Sequence, residues 1–207
     1  MLKVGIIIPY KEDRGWLHEA KQSVRNQTYR NIALIDSQSN RLSGCNFNDG
    51  VDIALNAGCD LIRYLCEDDM LTQDSVKLTV DYFRNNPGID FVHGNAFSLY
   101  GDVYKYYSAP IKEPTLEQMI ENNRIHGGTV TYKAEIFEDY QIDEDLWTGE
   151  EYDFNMMLMS EGKKIGYINH PLYIYRRHSA QKSLGNTSAE YQAKRKKAIE
   201  SIKNRYK

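Results

Sequence analysis

Short apolar runs alternate with amphipathic stretches along the first half of the chain, and this alternation limits the fold more than any other feature. The apolar runs predict strands, and the stretches between them predict helices. The predicted strands cover residues 4–8, 32–35, 61–65 and 89–93, and the predicted helices cover about 15–26, 50–57 and 73–86. Strands that alternate with helices predict right-handed crossovers and a mainly parallel sheet of the α/β class.

Polar side chains follow three of these strands, at the sheet edge where α/β proteins bind their ligands. The three segments are Pro9-Tyr10-Lys11-Glu12, Asp36-Ser37-Gln38-Ser39 and Glu67-Asp68-Asp69. Adjacent carboxylates repel one another, and a hard divalent cation that shares them with phosphate oxygens would compensate the repulsion. A solvated acidic turn before the next helix explains the triplet alone equally well.

The second half of the chain loses the strict alternation. Its pattern predicts a hairpin over 96–107 that turns at Gly101, a short helix over 115–122 capped by Thr115, a strand over 129–132, a helix over 150–161, strands over 165–168 and 172–175, and a helix from 188 to the end. These elements lie within one domain, because no linker or repeat divides the sequence.

Two further groups of side chains are candidates for chemistry. Glu150 and Glu151 open the helix predicted over 150–161. Acids in a first helical turn are favoured by the helix dipole, so a structural role is the more common one, and a general base that deprotonates a hydroxyl is the alternative. His178 ends the last predicted strand among basic residues that include Lys182, where it could bind phosphate or ligate a metal.

Composition and charge exclude several classes of function. A net charge of −3 over 207 residues argues against binding nucleic acid or an anionic membrane through overall charge. The three cysteines lack metal-ligand spacing and favour a reducing compartment. We expect a soluble, cytoplasmic chain without a signal peptide or transmembrane segment. The basic last helix is expected to present a solvated face, with contact to a membrane or a further domain as the lesser alternative.

Six segments, in their order and spacing over about residues 3–183, carry a resemblance to a known family. They are Lys3 to Glu12, Asn26-Gln27-Thr28-Tyr29, Asp36-Ser37-Gln38-Ser39, Cys66-Glu67-Asp68-Asp69, Gly127 to Phe137, and Gly149-Glu150-Glu151-Tyr152-Asp153-Phe154. Together they resemble the family 2 glycosyltransferases of the GT-A fold. In that family the third segment is usually Asp-Asp-Gly-Ser, and the fourth is the metal-binding Asp-X-Asp.

The resemblance implies one GT-A domain over residues 1–207, with a mainly parallel central sheet, flanking helices and a smaller acceptor-side sheet. Residues 1–95 would bind the nucleotide sugar, 96–183 the acceptor, and 187–207 would form a basic helix. The implied activity is metal-dependent transfer, of the hexosyltransferase type, from a UDP-sugar such as UDP-glucose to a hydroxyl of a carbohydrate or glycan. Mn²⁺ or Mg²⁺ would be the cofactor, and fusion to further domains stays open.

The resemblance also assigns residues by position. The implied nucleotide-sugar contacts are Pro9, Tyr10, Glu12, Arg14, Asp36, Glu67, Asp68 and Gly128, the implied metal ligands are Asp68, Asp69 and His178, and the implied catalytic carboxylates are Glu151 and Glu150. Within this set the side chain of Asp36 would contact the uracil, and Glu67 would approach the ribose.

Three departures from the family pattern keep other functions open. Cys66 replaces the first aspartate of Asp-X-Asp, Ser37 replaces one of the paired aspartates, and Val51 stands where an arginine often binds the diphosphate. They leave room for a non-catalytic module that binds nucleotide or carbohydrate. Nucleotidyl transfer is a further alternative, although the first strand is not followed by a glycine-rich, lysine-containing phosphate loop. An inverting and a retaining reaction are both compatible with the sequence.

Overall fold

A computed structural model describes residues 1–179, 181 and 188–207. The strands are β1 (Val4–Tyr10), β2 (Ile32–Gln38), β3 (Leu61–Tyr64), β4 (Met70–Leu71), β5 (Phe91–Tyr100), β6 (Val103–Tyr107), β7 (Thr131–Lys133) and β8 (Ile165–Arg176). The helices are α1 (Leu17–Arg25), α2 (Ser43–Asn56), α3 (Ser75–Asn85), α4 (Leu116–Glu121), α5 (Glu150–Ser160) and α6 (Ala189–Asn204), with 3₁₀ turns at Gly127–Thr129 and Ala134–Glu138. Lys182, residue 183 and residue 187, on which predictions were made, lie outside the described residues.

The strands form one sheet in the order β2-β1-β3-β7-β5-β8-β4, with β6 paired to β5. The pairs β1–β2, β1–β3 and β5–β8 are parallel, and the other four are antiparallel. The predicted α/β fold is therefore confirmed, and its parallel part is the first three strands. The acceptor-side strands, expected as a smaller sheet, are continuous with this one, because β7 bridges β3 and β5.

Apolar side chains alternate between the two faces of the sheet and build two cores. Ile7 of β1 faces a core that contains Phe47 of α2 and Phe154 of α5. Its neighbours Ile6 and Ile8 face the opposite core, which is covered by α1 and α3. This period of two is the property of a strand buried on both faces, as the continuous apolar run predicted.

Two predicted boundaries were wrong in the first half of the chain. Residue 9 is a proline but does not end β1, because the pairing of β1 with β3 stops at Ile7, so the missing N–H of Pro9 has no ladder to interrupt. Helix α2 begins at Ser43 and not near residue 50, and its first turns are polar in sequence. Asn46 and Asn48 are buried in its first turns and donate to distant carbonyls, as Asn48 does to Ile142 O at 2.9 Å.

The second half contains two confirmed local predictions and one merged pair of strands. Gly101 adopts φ +58° at the turn between β5 and β6, as the predicted hairpin requires. Thr115 caps α4 in a capping box with Gln118. The two strands predicted over 165–168 and 172–175 are one strand, β8, with register shifts beside Asn95 of β5 that absorb the extra residues.

Helix α6 is anchored to the domain by its last turns. Ile202 is fully buried, and Lys203 donates to Glu121 O at 2.9 Å. Arg205 forms ion pairs with Asp143 at 2.8 Å and with Asp153 at 3.2 Å. The helix is therefore part of the fold, and one of its faces is not solvated. Each helix within the described residues is too short or too polar to cross a bilayer.

Candidate active site

A cavity of about 870 Å³ opens at the carboxyl ends of β1 and β3. It is lined by the turn that follows β1, the segment after β3, the 3₁₀ turn at Gly127–Thr129, the start of α5 and one face of α6. Its volume lies in the upper part of the range of small-molecule pockets, which is about 300–1,000 Å³. The sequence prediction that ligands bind beyond these strands agrees with the location of this cavity.

The carboxylate loop, defined as Glu67, Asp68 and Asp69, lies on the floor of the cavity and is almost completely buried. Arg14 donates from Nε to Glu67 Oε1 at 2.6 Å and from Nη2 to Asp68 Oδ2 at 3.0 Å. Nε2 of His178 donates to the same oxygen of Asp68 at 2.9 Å. One cation and one imidazole thus already lower the repulsion between the first two carboxylates. Burial, and next the charge of Asp68, nevertheless raise the pKa of Glu67.

Asp69 points away from the cavity opening into the protein. Its Oδ2 accepts from the hydroxyl of Tyr173 at 2.8 Å, and its Oδ1 accepts from the backbone N–H of Arg176 at 2.7 Å. Both oxygens are therefore engaged by β8. Asp69 ties the carboxylate loop to the end of this strand, and the chain continues from there to His178, which contacts Asp68.

The expected nucleotide contacts divide into two groups. Pro9, Tyr10 and Glu12 line the cavity, and the turn that carries them is held by Asn46, whose side chain donates to Tyr10 O at 3.0 Å. Asp36, predicted as the uracil contact, does not line the cavity and forms an exposed ion pair with Lys21 at 2.7 Å. Alternation along β2 explains this, since the side chain of Asp36 faces α1 and not α2.

The first turn of α5 brings Glu150 and Glu151 to the opposite wall of the cavity. Gly149 precedes them with φ +78°, a conformation that only glycine adopts without strain, and it lies against α6. Glu151 is next to Gly127, since a Cβ built there would lie 3.5 Å from the Cβ of Glu151. The positive end of the α5 dipole stabilises the negative charges of Glu150 and Glu151.

Electrostatics connects Glu151 to the carboxylate loop through Cys66. Burial raises the pKa of the Cys66 thiol well above its usual range, and the charges of Asp69, Asp68 and Glu151 raise it further. Tyr64 behaves in the same way, with burial as the largest cause and Glu151 among the charges that act on it. Both sets of carboxylates line the same cavity.

Gly128, expected to contact the nucleotide sugar, lines the cavity but is also required for packing. A Cβ at this position would lie 2.3–2.7 Å from three ring atoms of Tyr173, which is fully buried. Its carbonyl accepts from Nη2 of Arg63 at 3.2 Å. Gly128 therefore allows the 3₁₀ turn to approach the ring whose hydroxyl holds Asp69.

The donor atoms suit a hard divalent cation held mainly by Asp68. The ligand atoms of Cys66, Asp68 and Asp69 lie within 4.8 Å of one another. A protonated thiol is a poor ligand for Mg²⁺ or Mn²⁺, and both oxygens of Asp69 are already bound to protein donors. Such ions are commonly held by one or two carboxylates plus substrate phosphates, which fits Asp68 with His178 beside it.

Sequence reasoning missed the contribution of α6 to this site. Arg195, Ile199 and Lys203 line the cavity, although the basic helix was expected to be solvated. Their spacing of four residues puts them on one helical face, and this was the signal available in the sequence. It was indistinguishable from a solvated charged face, because the anchoring residues near the chain end act through distant partners.

Carboxyl groups outnumber cations around the cavity. The carboxyl groups are those of Glu12, Glu67, Asp68, Asp69, Glu150 and Glu151, and the cations are Lys11, Arg14, Arg195 and Lys203. A nucleoside diphosphate entering such a cavity would meet repulsion that a bound divalent cation removes.

Comparisons with known proteins agree with this fold. No protein-family model matches the sequence. Among solved structures, TarS of Staphylococcus aureus residues 1–349 in complex with UDP-GlcNAc superposes with a TM-score of 0.69 at 14% identity, covering 87% of this chain and 60% of that one. The same TarS fragment in complex with UDP has a TM-score of 0.68 at 14% identity and covers 99% of this chain and 69% of that one. The fold is thus that of the GT-A-type glycosyltransferases.

Two curated relatives are named as glycosyltransferases. Glycosyltransferase GlyA of Streptococcus pneumoniae is 25% identical over 84% of this chain, and an uncharacterized glycosyltransferase of Haemophilus influenzae is 26% identical over 77% of it. The chain spans 30% and 56% of the lengths of these two relatives. Its sequence is therefore related, at low identity, to glycosyltransferases.

Proposed function

We propose that this protein is a glycosyltransferase that moves a sugar from a UDP-sugar to a hydroxyl group of a carbohydrate acceptor. One observation carries the proposal: a single cavity joins the turn after β1, the carboxylate loop after β3 and the first turn of α5. A nucleotide, a diphosphate and an acceptor each need one of these three surfaces. The glycosyltransferase relatives and the UDP-sugar complex of a protein with the same fold support this assignment.

The donor would lie with its uridine on Pro9, Tyr10 and Glu12 and its diphosphate over the carboxylate loop. Negative charge develops on the departing UDP, so cationic groups at this position stabilise the transition state. Arg14, which contacts Asp68, is the cationic protein group beside this position, and the imidazole of His178 contacts the same carboxylate. A Mn²⁺ or Mg²⁺ ion held by Asp68 would supply the remaining positive charge.

The acceptor would approach from the side of α5, where Glu151 lines the cavity. In the proposed reaction, Glu151 takes the proton of the acceptor hydroxyl while the oxygen attacks the anomeric carbon and UDP leaves. Glu150 is more completely buried and supports the first helical turn. Asp69 is a positioning residue in this proposal and not a ligand of the metal, because β8 engages both of its oxygens.

Finer assignments also belong to the proposal. We assign the chain to family 2 and to hexosyl transfer, with UDP-glucose and UDP-GlcNAc as the first donors to test, the second because TarS was solved with it. A role in glycan synthesis follows from a carbohydrate acceptor. A cytoplasmic location is supported by three cysteines that form no disulfide.

The test measures UDP binding by calorimetry and UDP release from each donor, with and without Mn²⁺ and with EDTA. Asp68→Ala should abolish metal-dependent UDP binding, and Glu151→Gln should retain that binding and lower turnover by about 10²–10⁴-fold. Asp139→Ala and Glu138→Gln, exposed and outside the cavity, are the matched controls. Undiminished turnover in both site variants contradicts the proposal, and metal-dependent UDP binding without turnover of any donor indicates a non-catalytic module.

A further inference from the structure

We infer that Arg195 binds an anionic group, a phosphate or a carboxylate, carried by the acceptor. This inference rests on the proposed function, because it assigns the chemistry of the acceptor at the same site. Arg195, Ile199 and Lys203 form the face of α6 that lines the cavity. The neighbouring basic residues Lys196 and Lys197 are exposed and do not line it.

The position of Arg195 is fixed by contacts on both sides of it along α6. The ring of Tyr191 packs edge-on against Trp147 with centroids 5.6 Å apart. Further along, Ile199 and Ile202 lie so close to Gly149 that a Cβ there would be 2.7 and 2.9 Å from their methyl groups. The helix is thus packed on the segment that leads into α5, so Arg195 belongs to the acceptor end of the cavity.

Arg195 also lacks the partner that such a position requires. Among the described residues it makes no ion pair or hydrogen bond, and its Nε is buried without an acceptor. Two other cations of the cavity have partners, since Arg14 is paired with Glu67 and Lys203 donates to Glu121 O, and the remaining one, Lys11, is exposed. Burying part of a guanidinium without a partner costs free energy, which a bound oxyanion would restore.

The shape of the Arg195 guanidinium indicates the kind of ligand that it binds. A guanidinium presents a planar fork of N–H donors that matches a carboxylate or phosphate bidentately, and hydroxyls of a neutral sugar do not offer that geometry or charge. The diphosphate of the donor is the other oxyanion in the proposed complex. It would lie over the carboxylate loop, next to Arg14 and His178, which both contact Asp68.

The experiment titrates the 207-residue chain, preloaded with UDP and Mn²⁺, with glucose 6-phosphate, glucuronate and glucose by calorimetry. The variants are Arg195→Gln and Arg195→Lys, with Lys197→Gln as the exposed control on the same helix. Wild type and Lys197→Gln should bind at least one of the two anionic sugars about tenfold or more tightly than glucose, as expected for a charged hydrogen bond. Arg195→Gln should remove that preference, and the affinity for UDP should not change.

The two anionic probes distinguish the sources of the charge. A preference for glucose 6-phosphate indicates a phosphorylated acceptor, and a preference for glucuronate that Arg195→Lys fails to rescue indicates a carboxylate bound bidentately. The inference is overturned if Arg195→Gln keeps the wild-type preference, or if it weakens UDP binding tenfold, which would assign Arg195 to the donor. Wild-type protein that binds no UDP contradicts the proposed function itself, and the sugar titration repeated without UDP then tests Arg195 separately.

Discussion

Replacing Gly128 by alanine tests whether packing against Tyr173 organises the carboxylate loop. The added Cβ would lie 2.3 Å from the ring, whereas ordinary contact begins at about 3.4 Å, so one side must move by about 1 Å. Both sides are held, the ring by Asp69 at 2.8 Å and the glycine carbonyl by Arg63 at 3.2 Å. Overpacking of this kind costs roughly 1–3 kcal/mol.

At 207 residues, this cost corresponds to a decrease of about 2–12 °C in Tm, measured by thermal unfolding. Movement of Tyr173 would also displace Asp69 and the loop, and sites tolerate only about 0.5 Å, so UDP affinity should fall tenfold or more. Gly127→Ala is the matched control, because its Cβ meets Glu151 at an ordinary 3.5 Å. A Gly128→Ala protein with the Tm and the UDP affinity of the wild type would refute the reasoning.

Two further substitutions test parts of the fold that support the cavity. Arg205→Ala removes the ion pairs that hold the end of α6 and leaves the hydroxyl of Tyr206 as a remaining donor to the buried carboxylate of Asp153. It should lower the free energy of unfolding by about 1–2 kcal/mol, measured by denaturant titration. An unchanged midpoint would show that the burial of Ile202 is enough to anchor the helix. Arg63→Met leaves the carbonyl of Gly128 without its buried donor and should lower the free energy of unfolding by roughly 1–3 kcal/mol. It should also weaken UDP binding more than Arg205→Ala does. Equal losses of UDP affinity in the two variants would show that Arg63 does not support the carboxylate loop.

The sequence predicted the elements whose signal is local. The run Val4 to Ile8 is buried on both faces, the hairpin turns at Gly101, and Thr115 caps α4, because each depends on neighbours along the chain. The start of α2 was missed for the opposite reason. Ser43 to Asn48 is polar, and the asparagines become acceptable inside the protein only when carbonyls 36 and 94 residues away accept from them.

The site shows the same division between local pattern and distant partner. The turn after β1 and the carboxylate loop could be located, because carboxyl ends of parallel strands share one edge of the sheet. The position of Asp36 outside the cavity lining could not be foreseen, since it depends on which face of β2 its side chain occupies and on its ion pair with Lys21 at 2.7 Å. The position of Arg195 in the cavity lining depends on how the end of α6 is anchored. The spacing of residues within the helix does not predict that anchoring.

The three acids of the carboxylate loop show why composition alone could not assign roles. Read as a sequence, they are equivalent and mutually repulsive. In the structure each has a different set of partners: Glu67 accepts from Arg14, Asp68 lies between Arg14 and His178, and Asp69 is bound by β8. All three are therefore engaged by protein donors, and Asp68 differs in that both of its partners, Arg14 and His178, contact the same oxygen, Oδ2. Asp68 is therefore the acid to which the proposed function assigns a cation shared with a diphosphate, since such ions are commonly held by one or two carboxylates plus phosphate oxygens.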